Sequence, residues 1–191
     1  LYGATKFISE RLWKTFQKKN IKRRFAIVRY GNVLGSNGSI IQKWEKEELP
    51  LVCKYSTRFW ITMKDAAEFC FFALCNSRGG EVFIKPNIKL EVYKLFKYLH
   101  NRKKYIKHHP EDFEKENEVL VSQHEKAKIF KVSDSFVLVD RYFSDALNYW
   151  FERMNNEDKV EILNSVGCMD FCSDGYYETN EDQIDDLLSG I

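Results

Sequence analysis

The chain has 191 residues, 44% hydrophobic and 30% charged, a composition that suits one soluble globular domain with a real core. A formal charge of +2 selects no partner, and the basic run Lys18-Lys19-Asn20-Ile21-Lys22-Arg23-Arg24, with no stacking aromatic interleaved, reads as a solvated helix end and loop. No apolar run reaches the roughly 20 residues a membrane span needs, no signal peptide is visible, and neither nucleic acid nor a membrane is an expected partner.

The five cysteines, at positions 53, 70, 75, 168 and 172, are odd in number and irregular in spacing. Neither Cys70/Cys75 nor Cys168/Cys172 has a matching His or Cys pair to complete a zinc site. Free thiols in a reducing compartment, hence a cytoplasmic location, are the reading they support. The four histidines at 100, 108, 109 and 124 show no metal or nucleophile pattern. No metal is expected.

Tyr2 to Lys19 has helical periodicity, with Phe7, Leu12 and Phe16 among its apolar positions. The chain begins on this helix at Leu1-Tyr2 rather than at Met, so an upstream segment is expected. Tyr2 and Lys6 stand at i and i+4, one turn apart on one face. Phe25-Ala26-Ile27-Val28 is a short apolar run that reads as a buried strand. Arg29 to Ser39 then opens a loop with three glycines and two asparagines, the end of an open parallel sheet at which ligands bind. An ordinary strand-to-loop turn is the competing reading of that stretch.

Ile40 to Glu48 predicts a short helix, and Leu51–Cys53 and Arg58–Thr62 predict strands outside the main sheet. Met63 to Asn76 is the clearest helix, capped by Thr62, with Ala66, Ala67, Phe69, Cys70, Ala73 and Leu74 as its buried side. Glu81–Ile84 is a second apolar strand, and Lys89 to Tyr98 an amphipathic helix. Phe25 to Ile84 is therefore a strand–helix–strand unit suited to parallel pairing. Two strands make no stable doubly wound sheet, so either the rest is expected from residues before Leu1 or the fold is something smaller. Further on, Phe136–Val139 reads as a strand and Arg141–Met154 as a helix. Glu178 to Gln183 reads as a helix start capped by Asn180 or Thr179.

Tyr2-Gly3-Ala4-Thr5-Lys6 is a Tyr-x-x-x-Lys pair, in which an ammonium one turn from a phenol favours the phenolate of a general base. Alone the spacing is weak, since Tyr and Lys at i, i+4 occur on many helices. Four segments in order strengthen it: residues 1–10 (LYGATKFISE), 29–39 (RYGNVLGSNGS), 57–62 (TRFWIT) and 79–84 (GGEVFI). Together they resemble the inverting UDP-N-acetylglucosamine 4,6-dehydratases, extended short-chain dehydrogenase/reductases of the CapD-like polysaccharide-biosynthesis group. Residues 114–122 (EKENEVLVS) resemble that group's later Gly-Glu-Lys-x-His-Glu segment.

The resemblance implies an α/β fold: the C-terminal portion of a Rossmann-like domain with its smaller substrate-binding subdomain, and no N-terminal dinucleotide-binding half. It covers 1–139, leaving 140–191 as a mainly helical segment packed on it. It further implies NADP as cofactor, a UDP-sugar as substrate, and room for a homo-oligomer. Tyr2 would take the sugar 4-hydroxyl proton, and Lys6 would hold the nicotinamide ribose. Tyr30, Gly31 and Val33 would lie at the cofactor. Asn32, Ile40, Gln42, Arg58 and Glu114 would lie on the substrate side.

The departures count too. The family's glycine-rich dinucleotide loop and its Thr-Asp-Lys segment have no counterpart in these residues. Its Pro is Gln42, its Arg-Pro-Gly is Glu111-Asp112-Phe113, and its His is Asn117. Carboxylates in place of an arginine beside a pyrophosphate oppose binding. Two readings follow: part of a sugar-nucleotide dehydratase, inactive when isolated, or a degenerate relative that binds sugar nucleotides or partners without catalysis.

Overall fold

The computed structural model describes residues 2–20, 22–109, 116–121, 125, 127–156, 160–163 and 181–189 (backbone only for Tyr2, 160–163 and Glu181). In chain order the elements are α1 (Tyr2–Lys19), β1 (Ile27–Tyr30), β2 (Asn32–Val33), α2 (Ile40–Lys46), β3 (Leu51–Cys53), β4 (Thr57–Ile61), α3 (Met63–Asn76) and β5 (Val82–Lys85). There follow β6 (Ile88–Glu91), α4 (Val92–Leu99), β7 (Ile106–His108), β8 (Ala127–Val132), β9 (Ser135–Asp140), α5 (Ser144–Asn156), β10 (Val160–Leu163) and α6 (Glu181–Leu188). They divide into two compact units: Leu1–Arg29 with Glu68–Lys85 and Gln123–Val166, and Tyr30–Ala67 with Pro86–Ser122 and Gly167–Ile191.

The first unit is built on a five-stranded sheet of order β1-β5-β9-β8-β10. At the entry to β1 and β5 the Gly80 amide donates to the Phe25 carbonyl and the Ile27 amide to the Glu81 carbonyl. Partner numbers rise together on both strands, the sense of a parallel pair. The strand–helix–strand reading holds. Three further strands join the sheet from downstream: β9, β8 and β10 extend it antiparallel beyond β5. A two-residue turn makes this possible, since Val132 pairs with Ser135 and Ser133 takes the left-handed φ of 55°. The core of this unit is aromatic, with Phe83 and Phe130 packed on Trp150 at centroid separations of 6.0 and 6.2 Å.

Two helices of this unit depart from expectation. On α1 the apolar Phe7, Ile8, Leu12, Trp13 and Phe16 are all about half exposed, and the one fully buried residue among those described is Gln17. Its Oε1 accepts from the Phe25 amide at 2.7 Å, which satisfies a backbone donor before β1 begins. On α3, Ala66, Phe69 and Ala73 are buried as expected, whereas Ala67, Cys70 and Leu74 are exposed. The spacing of 66, 69 and 73 defines a narrow stripe, and residues to either side of it rotate out.

The second unit holds a three-stranded sheet β2-β4-β6 and the pair β3-β7, so Leu51–Cys53 and Thr57–Ile61 do lie outside the main sheet. β2 runs parallel and β6 antiparallel to β4. The expected helix from Lys89 starts later, at Val92, because residues 88–91 are claimed by β4. Leu90 pairs with Arg58, and its carbonyl accepts the Trp60 indole N–H at 3.2 Å. The core gathers Leu34, Ile41, Trp44, Val52, Trp60, Leu90, Leu95 and Phe96, with Ile184 and Leu187 from α6. Residues 179 and 180, expected to cap α6, lie outside the described residues.

Candidate functional site

α1 is one uninterrupted helix from Tyr2 to Lys19, so Tyr2 and Lys6 do stand at i and i+4. Lys6 is exposed, as is every residue from Gly3 to Ser9. Among the described side chains of the helix Glu10 is the first to be drawn in, and it meets Arg29 of β1. Arg29 Nε and Nη2 donate to the two Glu10 oxygens at 2.9 and 2.6 Å, and Nη1 and Nη2 to those of Glu125 at 2.7 and 3.1 Å. Burial by itself would lower the Arg29 pKa, but the two carboxylates more than offset it and hold the guanidinium above its ordinary value. Lys14, half buried beside the same group, is lowered by burial and by Arg29, against the pull of Glu125, Asp140 and Glu10.

The second unit carries most of the other expected site residues. Tyr30 and Val33 are half buried and Asn32 is exposed. Asn32 pairs with Trp60 and Val33 with Ile61, and the Leu34 amide donates to the Ile61 carbonyl at 2.9 Å. Gly31 is buried where β2 meets β4: a Cβ there would stand 2.2 Å from the Phe59 oxygen. The absence of a side chain at 31 is therefore required by the neighbouring strand. Gly35 and Gly38 have φ of 68° and 75° with nothing within 4 Å of a Cβ. They shape the turn into α2, where Gln42 Oε1 accepts the Gly38 amide at 3.0 Å. Ile40 is half buried at the head of α2.

Arg58 is half buried, and its Nη1 donates to the carbonyls of Thr57 and Glu116, both at 2.8 Å. Further contacts join β4 to the segment at 116–118, among them the Thr57 amide to the Glu116 carbonyl at 2.9 Å. Thr57 Oγ1 donates to Asn117 Oδ1 at 2.7 Å, and Glu118 Oε2 accepts the Phe59 amide at 3.0 Å. Sequence reasoning named Arg58 but missed Glu118. The signal available was a carboxylate two residues past Glu116 in the family-like segment. Glu114, Glu111, Asp112 and Phe113 lie outside the described residues.

A cavity of about 260 Å³ lies in the first unit, lined by Phe69, Phe72, Lys85 and the β8–β9 turn. It contains none of the expected site residues. Across it Lys85 pairs with Asp134 at 2.9 Å, holding that carboxyl below its usual range although burial works the other way. Among the described residues no group of three His, Cys, Asp or Glu could hold a metal ion. Cys53, Cys70 and Cys75 are free thiols. No described helix is long and apolar enough to cross a membrane.

Comparison with known proteins gives these elements a family. Over 100 residues the chain is 38% identical to an inverting UDP-N-acetylglucosamine 4,6-dehydratase of Campylobacter jejuni, a match covering 47% of this chain and 30% of that protein. It is 27% identical to a UDP-glucose 4-epimerase of Rickettsia bellii, over 99% of this chain and 57% of the epimerase. The X-ray structure of Pen from Bacillus thuringiensis superposes with a TM-score of 0.78 at 22% identity, covering 98% of this chain and 57% of that one. That likeness shows the fold, an α/β arrangement of mixed sheets. The chain thus spans little more than half of these relatives at most. The family model described as polysaccharide biosynthesis protein matches residues 1–140, and the chain belongs to that family.

Proposed function

We propose that this chain is the C-terminal part of an NADP-dependent sugar-nucleotide 4,6-dehydratase acting on UDP-N-acetylglucosamine. The observation that carries the reading is the Tyr2–Lys6 spacing on an unbroken α1, joined through Arg29 to the strand that leads into Tyr30-Gly31-Asn32-Val33. In this reading residues 1–139 form the substrate-side part of the domain, 140–191 pack on it, and another stretch of polypeptide supplies the dinucleotide-binding half. Localisation is cytoplasmic, and assembly into a homo-oligomer is compatible with it.

The residues present fit one end of the cofactor. Lys6, exposed one turn from Tyr2, suits a ribose hydroxyl pair, while a pyrophosphate cradle of glycine amides at a long helix N-terminus has no counterpart among the described residues. When bound, NADP would accept hydride from sugar C4 and later return it to C6. Tyr2 would take the proton of the 4-hydroxyl as that carbon is oxidised. The resulting ketone acidifies the C5 proton, and water is lost across C5–C6. With that hydride at C6 and a proton delivered to the opposite face of C5, the product would be the inverted 4-keto-6-deoxy sugar. Arg58, Asn32, Ile40, Gln42 and Glu114 would bind the UDP side, and Tyr30, Gly31 and Val33 the nicotinamide side.

The test is turnover of UDP-N-acetylglucosamine with NADP by the complete polypeptide from its source. Tyr2→Phe is expected to reduce it to background, by at least about 100-fold for loss of the general base. Unchanged turnover in that variant refutes the reading. A non-catalytic sugar-nucleotide-binding or interaction module is the second reading, favoured by the carboxylates at Glu111-Asp112. A folded polypeptide with no turnover and no calorimetric binding of UDP sugars or NADP would select it.

A further inference from the structure

Tyr2, Lys6, Glu10 and Lys14 recur every four residues on α1, a single stripe along the helix. Of the two members at the chemical end, Lys6 stands in a stretch, residues 3–9, that is exposed throughout. A helix end with so little buried surface has little to fix its rotation about its own axis, and helix ends fray on that account. The next member of the stripe, Glu10, is held quite differently.

The Arg29 guanidinium uses both of its edges. Nε and Nη2 clasp Glu10, while Nη1 and Nη2 clasp Glu125, each carboxylate through both oxygens. All three side chains are largely withdrawn from solvent, 18%, 21% and 19% exposed for Arg29, Glu10 and Glu125. A planar fork that meets two carboxylates bidentately fixes direction as well as distance, which a point charge on a flexible stem cannot do. Lys14, half buried next along the stripe, adds a second positive charge among the carboxylates of Glu10, Glu125 and Asp140. Arg29 also stands one residue before Tyr30 in the chain.

We propose that Arg29, clasped by Glu10 and Glu125, is a positioning residue that fixes the rotation of α1, and with it the Tyr2–Lys6 register, against the end of β1. The proposal rests on the dehydratase reading for the purpose of the clamp but not for its existence. It separates Arg29 from the residues that touch substrate: the arginine acts only through the helix. Removing the fork while keeping the charge should therefore misplace the chemical pair without unfolding the sheet.

The experiment compares Arg29→Lys and Glu125→Gln with the parent sequence in the complete polypeptide, by hydrogen exchange and by steady-state kinetics across pH. Exchange in the 3–10 stretch is expected to rise about tenfold or more, with β8 and β9 unchanged, as for a local opening. For Arg29→Lys, kcat is expected to fall about 100-fold. KM should stay within about threefold, the pattern of a lost transition-state geometry, and the basic limb of the pH profile should move. Glu125→Gln keeps an acceptor on one edge and should fall between the two. If exchange rises uniformly through the sheet, the role is merely structural and the proposal fails; parental exchange at 3–10 or a parental kcat also overturns it. If the parent enzyme turns nothing over, the dehydratase reading fails, and exchange alone decides the clamp.

Discussion

Gly31→Ala isolates what the glycine loop owes to packing. The added Cβ would lie 2.2 Å from the Phe59 oxygen, 2.4 Å from its carbonyl carbon and 2.5 Å from its Cβ. Two of these atoms are backbone of β4, the central strand of its sheet, so no side-chain rotation relieves the clash. β2 must draw back by about 1 Å to restore ordinary C···O separation. Overpacking of this kind costs about 1–3 kcal/mol. Withdrawal also weakens the 2.9 Å bond from the Leu34 amide to the Ile61 carbonyl, adding about 1 kcal/mol. The expected loss is about 2–4 kcal/mol, a large part of the stability of an ordinary domain.

Urea unfolding followed by tryptophan fluorescence reads it, since Trp44 and Trp60 are 1% and 2% exposed within the same unit. Two other glycines calibrate the result. Gly35 has open space but a φ of 68°, and Gly35→Ala should cost about 1–2 kcal/mol of left-handed backbone strain. Gly3 is exposed on α1 with nothing near it, and Gly3→Ala should gain up to about 1 kcal/mol of helix propensity. If Gly31→Ala loses less than Gly35→Ala, the account of the β2–β4 approach is wrong.

His100 gives a pH signature. Its Nε2 is buried without a hydrogen-bond partner among the described residues, and its ring packs on Trp44 and Phe96. Burial, then Lys103, lower its pKa while Glu45 opposes them. The unfolded chain therefore takes up the proton first as pH falls. Stability contributed by the neutral ring is present above about pH 6.5 and lost as pH drops below it, levelling off beneath the folded value. The urea midpoint should fall between pH 7.5 and 5, and His100→Gln should flatten that difference; an unaltered difference in the variant defeats the assignment. At α3, Thr62 Oγ1 accepts the Asp65 amide at 3.0 Å and donates to its carboxylate at 2.8 Å. Thr62→Ala should cost about 1 kcal/mol in the same unfolding assay, and no loss would show the cap to be idle.

What the sequence determined by itself was local. The Tyr2–Lys19 and Met63–Asn76 periods, the Thr62 cap, the apolar runs before Tyr30 and Lys85 and the loop chemistry between them are set within a turn or two of chain. So is the family, because its motifs are short and ordered. The tertiary structure decided what depends on partners far along the chain. It turned residues 89–91 from helix into strand, because β4 offered hydrogen bonds that propensity cannot foresee. It extended the first sheet with β9, β8 and β10 and left the apolar side of α1 half exposed. It also put Gly31 against Phe59 and brought Glu10 and Glu125 to one arginine, residues 19 and 96 positions away from it. Charge pairs and close backbone contacts across such separations leave no period in the sequence; only the fold brings them together.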